Sequence, residues 1–213
     1  MARQSATEWR KLIVESYIDI LYEKPYCKVK VSDICARSKV PRSTFYTIFD
    51  SADDCLDGIE RTLLGFLSLR NQDVPAAESE PGLFVEAIAR WFETCFEHEH
   101  VLAALMGPNG DPYFARRLHN QLREEMTVFS KEDFVPQDDR LPYAIENLVG
   151  SYVTLLAFSL NLPVGVKRIT SVELASIATL ARVGYHAMVE GASSVSEEKL
   201  TGEFPMFRPR SNE

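Results

Sequence analysis

Apolar side chains recur at three- and four-residue intervals along nearly the whole chain and strand-like alternation is scarce, so the pattern predicts an all-α fold. Leu12, Ile13, Ser16, Tyr17, Ile20 and Leu21 trace one stripe of an amphipathic helix from Ala6 to Tyr22, which Pro25 ends. A short helix follows over Val31 to Ser38, anchored by Ile34, and a third over Pro41 to Phe49, with only Lys39 and Val40 left for a turn. Asp50 or Ser51 can cap a fourth, running from Ala52 to about Arg70 with Asp53 and Asp54 at its positive end. Pro75 and Pro81 make residues 71–82 a loop. Leu83 to Glu97 carries Phe84, Ile88, Trp91 and Cys95 on one face, and Gly107-Pro-Asn-Gly-Asp111 is a clear break. Helices are then expected over Pro112 to Phe129, Pro142 to Leu160 and Ser171 to Glu190, with a charged loop at 130–141 and a loosely ordered tail at 191–213.

Two short helices joined by a tight turn and packed on a longer one form a helix-turn-helix pattern. At 100° per residue, Phe45, Ile48 and Phe49 share one side of the second short helix, while Arg42, Ser43, Tyr46 and Thr47 share the other. The apolar side can pack down, which leaves the polar side free. Its guanidinium suits guanine or phosphate, and its hydroxyls suit phosphates or base edges.

Taken as a total, the charge opposes a polyanionic partner, because 23 Lys and Arg face 31 Asp and Glu for a net charge of −8. Its distribution reverses that reading. Between Lys24 and Phe49 there are six cations and a single anion, Asp33. Residues 1–55 sum to +1 and residues 56–213 to −9, so the acidity belongs to the C-terminal part. A hydrophobic share of 46% and 25% charged residues exclude collagen-like and mostly disordered chains.

At these residues the chain resembles the DNA-binding domain of the TetR family of bacterial transcriptional regulators. The resemblance lies in Val31-Ser-Asp-Ile34, Ala36, Val40 and Thr44-Phe-Tyr46-Thr-Ile-Phe49, within the run from Trp9 to Ile59. Arg42-Ser-Thr-Phe-Tyr46 is also similar to the branch containing regulators of dihydroxyacetone kinase operons. The resemblance implies a helix-turn-helix domain over 1–55, a helical regulatory and dimerisation domain over 56–190, and a homodimer that inserts each third helix into a palindromic operator of double-stranded DNA. Carried over by position, Arg42, Thr44 and Thr47 face bases or nearby phosphates, Tyr46 contacts the backbone, and Lys30 lies near a phosphate; Ser43, on the same free side, is a further DNA-binding candidate. Pro41 stands where the family commonly has Ser, Ile48 where it has His, and Ala52 where a phosphate-binding Lys usually opens the fourth helix. The missing lysine and the added Asp50, Asp53 and Asp54 imply weaker grip on the backbone.

The resemblance further implies a small-molecule effector among the central helices, for which Trp91, Cys95, Phe114, Leu118 and Tyr152 are lining candidates. It also places the two closing helices in a four-helix dimer interface, with Leu148, Tyr152, Leu155, Leu156, Val183, Tyr185 and Ala187 as members. The uncharged run from Asn147 to Val166 is accordingly read as a buried or interfacial helix, not a membrane span. Met1 to Trp9 has no apolar core of a secretion signal, and Cys27, Cys35, Cys55 and Cys95 have no metal-site spacing. A cytoplasmic protein with reduced thiols, no cofactor and no metal is the expectation. His98-Glu99-His100 does not change it, since i and i+2 side chains on a helix do not share a face. No catalytic constellation stands out, so an enzyme is the remotest reading. A TetR-like dimer that has drifted from DNA and binds a protein partner is the closer alternative.

Overall fold

Ser5 starts the first helix with a reciprocal cap, its Oγ accepting from the Glu8 N–H at 3.3 Å while the Glu8 carboxylate accepts from the Ser5 N–H at 2.6 Å. From there the computed structural model describes residues 5–72, 81–132 and 138–179, and every regular element among them is helical. The elements are α1 (Ala6–Leu21), α2 (Val31–Ser38), α3 (Arg42–Phe45), α4 (Ala52–Phe66), α5 (Pro81–Glu97), α6 (Glu99–Leu105), α7 (Phe114–Glu132), α8 (Leu141–Leu160) and α9, described over 171–179. Short 3-10 turns sit at Tyr26–Lys28 and Leu69–Gln72.

Three departures from the sequence pattern have local causes. The third helix is regular only over Arg42–Phe45, after which Thr47 N–H bonds Thr44 O and Ile48 N–H bonds Phe45 O, the tighter i to i+3 pattern. Pro41 precedes that helix with an extended ψ of 143° and does not sit in its first turn. The fourth helix ends at Phe66, because the chain turns back at Leu69–Gln72 onto α5 and α7.

One apolar core runs without interruption from Ile13 in α1 to Ala178 in α9. Polar clasps hold its corners. Glu125, itself buried, accepts from Ser68 Oγ at 2.7 Å and from Leu69 N–H at 2.8 Å, and Trp91 Nε1 donates to Leu67 O at 2.8 Å. Gly110 in the break before α7 is required sterically, since a Cβ there would lie 1.9 Å from Leu105 O. Among the described residues α8 is the helix long and apolar enough to cross a membrane, but Ile145, Leu148, Val149, Tyr152 and Leu156 along it are buried in the protein's own core.

Candidate nucleic-acid interface

The polar face of α3 is built from beneath. Phe45 and Phe49 are buried and lie 5.9 Å apart, and Ile34, Val40 and Tyr17 are buried in the same core, which fixes how α2 and α3 sit on α1. The turn between α2 and α3 depends on Lys39, which adopts a left-handed conformation with φ 57° and ψ 23° and is followed by a Val40 N–H bonded to Ser38 Oγ at 3.3 Å. Arg42, Ser43, Tyr46 and Thr47 are consequently exposed, and Thr44 is half-buried. Tyr46, 55% exposed, stands edge-on to Phe45 at 5.6 Å. Thr47 is less free than its exposure suggests. Its hydroxyl donates to Thr44 O at 2.6 Å, so only its acceptor lone pairs remain for a ligand.

The six cations between Lys24 and Phe49 divide into two groups. Lys24 pairs with Asp33, and Arg37 pairs with Glu23 across the α1–α2 contact. The Lys24 ammonium and the Lys30 N–H hold the Asp33 carboxyl below the usual carboxylate range. Lys28, Lys30, Lys39 and Arg42 are all exposed and have no ion pair among the described residues. Lys30 is the residue immediately before α2, with its N–H on Asp33 at 3.0 Å. These four are the free positive charge of the segment from Lys24 to Phe49.

The start of α4 beside this face is acidic but ordered. Ser51 caps it, its Oγ accepting from Asp54 N–H at 3.0 Å, and the Asp54 carboxylate accepts in turn from Asp50 N–H at 3.0 Å. Asp54 is therefore engaged locally, and Asp53 offers its charge at the helix start, where the dipole favours it.

The candidates in the body sit differently. Trp91, Cys95, Phe114, Leu118 and Tyr152 are all fully buried, and the rings of Trp91 and Tyr152 lie 6.0 Å apart. Burial also pushes the Cys95 thiol well up, and raises Cys55 to about 12, so neither is a reactive thiolate. Leu148, Tyr152 and Leu156 are likewise taken up in the chain's own core, while Leu155 is half-buried. Val183, Tyr185 and Ala187 lie outside the described residues, as does the tail from 191. The exposed apolar side chains of the closing helices are others: Tyr143, Phe158, Val172 and Ile177.

The sequence reading missed α6 and the junction it makes with the head. His98 and His100 do not converge there. His98 Nδ1 donates to Thr94 O at 3.0 Å, whereas His100 stacks on Tyr22 at 5.1 Å and faces Asp19 at 3.5 Å. Tyr22 Oη donates to His100 O at 2.7 Å, and Tyr26 N–H to Asn109 O at 2.7 Å. Deeper in the junction, Arg117 of α7 pairs with both the buried Glu60 of α4 and Asp111. A lone arginine in an exposed-looking helix face gave no signal of this in sequence.

The arrangement of α1 to α4 under a helical body recurs in solved proteins. A TetR transcriptional regulator from Streptococcus agalactiae 2603V matches with a TM-score of 0.60 at 22% identity, over 81% of this chain and 92% of that one. The chain has the fold of solved TetR-family regulators. A putative TetR-family transcriptional regulator from Syntrophomonas wolfei str. Goettingen matches with a TM-score of 0.62 at 19% identity, over 90% of this chain and all of that one. A TetR-family regulator from Streptomyces coelicolor gives 0.55 at 16% identity, over 98% and 93%. No family model and no curated protein matches the sequence. None of the three TetR-type structures is described as a regulator of a dihydroxyacetone kinase operon, so the finer placement suggested by Arg42-Ser-Thr-Phe-Tyr46 finds no support.

Proposed function

We propose that the chain is a TetR-like transcriptional regulator that binds operator DNA as a homodimer, represses from it, and responds to a small molecule. The observation that carries this reading is the α3 face. Arg42, Ser43, Tyr46 and Thr47 are exposed on a helix locked down by Phe45 and Phe49, and Lys28, Lys30 and Lys39 beside it are unpaired among the described residues. The division at about residue 55, with a regulatory part to 190 and a tail beyond, follows the same reading, as does a cytoplasmic location without catalytic activity. Two heads must meet major grooves about 34–36 Å apart, so any ligand that changes their separation changes occupancy. Exposed Phe158, Val172 and Ile177 on the closing helices supply apolar surface for the second copy, next to Leu155.

The test is titration of labelled fragments of the protein's own upstream DNA across a salt series. If the four unpaired cations between Lys24 and Phe49 make the phosphate contacts in each of two copies, the slope of log K against log salt is no steeper than about −7. No binding to any fragment of the locus sinks the reading. Ala52 and the exposed Asp50 and Asp53 favour the second reading, a TetR-like dimer that binds a protein partner in place of DNA. Absence of sequence-selective DNA binding, together with a stable partner that co-purifies and dissociates on Tyr46→Ala, selects it.

A further inference from the structure

An open groove of about 220 Å³ lies between α1 and α4, bordered by the Phe49 ring. Arg10 and Val14 of α1 form one wall, Ile59, Leu63 and Phe66 of α4 the other, and His98 and Val101 close the end. Its walls are apolar and no carboxylate lines it. Arg10 is exposed, has no carboxylate partner among the described residues, and rests its guanidinium 4.6 Å from the centre of the Phe49 ring. Thr62 borders the groove with its hydroxyl turned to Gly58 O at 2.7 Å. A site smaller than the roughly 300–1,000 Å³ of drug-sized pockets takes a single-ring molecule. A lone cation above apolar walls selects one with a single negative charge.

We propose that this groove binds an aromatic monocarboxylate of one-ring size, with the ring between α1 and α4 and the carboxylate on Arg10. The site differs from the fully buried Trp91–Tyr152 cluster, which has no room for a ligand without opening. It also touches the reading head directly. Phe49 is both a wall of the groove and the packing partner of Phe45 under α3. Gly58 lets Phe49 approach α4 so closely that an added Cβ would lie 3.2 Å from Phe49 Cε1, so the ring has little slack. A carboxylate that draws Arg10 off this ring, with an occupant pressing α1 from α4, therefore shifts α3 relative to the body. Binding stands by itself; its effect on operator affinity rests on the DNA-binding reading.

Calorimetric titration of the full chain with benzoate, benzamide and acetate separates charge from ring. Benzoate binds at least tenfold more tightly than either of the others, Arg10→Gln reduces it to the level of benzamide, Arg10→Lys keeps more than half of the discrimination, and Thr62→Phe fills the groove and removes binding. Both positions are exposed, and unchanged helical circular dichroism shows that the variants are folded. No saturable benzoate binding to the wild type, or binding that survives both Arg10→Gln and Thr62→Phe, overturns the site. Benzoate bound as expected by a protein that binds no fragment of its own locus keeps the site and removes the DNA reading instead.

Discussion

On the proposed DNA-binding reading Arg42 and Lys30 have different tasks, and substitutions at the two should fail in different ways. Arg42 is exposed at the first position of α3, where that reading puts the base edges, whereas Lys30 precedes α2, where it puts a backbone phosphate. Arg42→Ala is expected to relax preference at one operator position by roughly 1–3 kcal/mol, read by competition with single-base variants. Unchanged affinity and preference would show that α3 does not face the bases. Lys30→Ala should weaken all sequences alike and flatten the salt slope by about 1 per head. Ala52→Lys should strengthen binding without regard to sequence. The free side of α3 is legible in sequence because an aromatic pair four residues apart, Phe45 and Phe49, fixes which side is down. The pairing of Lys24 with Asp33 and of Arg37 with Glu23 is not, because it depends on how α1 crosses α2. Of the six cations between Lys24 and Phe49, those pairs leave four without an ion pair among the described residues.

The elements themselves are set by caps as much as by periodicity. α2 ends at a lysine held at φ 57°, a conformation that costs an L-residue about 1–2 kcal/mol and glycine nothing. Lys39→Gly should therefore raise stability by about 0.5–1 kcal/mol in urea melts while lowering DNA affinity through the lost cation. A fall in both would mean that the lysine stem packs in the turn. Ser51→Ala removes the cap of α4 and should cost about 1 kcal/mol. Apolar spacing places α1, α2, α5, α7 and α8 within a few residues of where they lie, since each is long or sharply capped. α6 escaped because its seven residues follow α5 after one break at His98, too short a run to display a period. α3 is overextended by the pattern because Phe49 keeps helical spacing although the backbone has already tightened behind Thr47.

At the scale of the whole molecule, a buried carboxylate helps to fasten α4, the helix that follows the short helices, to α7. Glu60 has 4% of its side chain exposed, and its Oε1 has no hydrogen-bond partner among the described residues; Arg117, 40% exposed, supplies its counter-charge and is shared with Asp111. Burial pushes the Glu60 carboxyl above its usual range, and the Arg117 guanidinium pulls it back only in part. A raised carboxyl binds its proton more tightly folded than unfolded. Its contribution to stability is thus most favourable at low pH and declines as pH rises from about 4.5 through the folded value. Arg117→Leu leaves the charge buried and should cost about 2 kcal/mol at neutral pH, below the 3–5 of a fully buried pair because Arg117 is itself partly solvated. Urea melts of Arg117→Leu, Glu60→Gln and the double variant at pH 7 and pH 4.5 form the cycle. The double variant should recover most of the loss at pH 7, and the cost of Arg117→Leu should shrink at pH 4.5 as Glu60 takes up a proton. A cost that stays the same at both pH values, or a double variant no better than Arg117→Leu, would assign the role of Arg117 to Asp111 and to packing of its stem, and Glu60 would not be the charge that fastens α4 to α7.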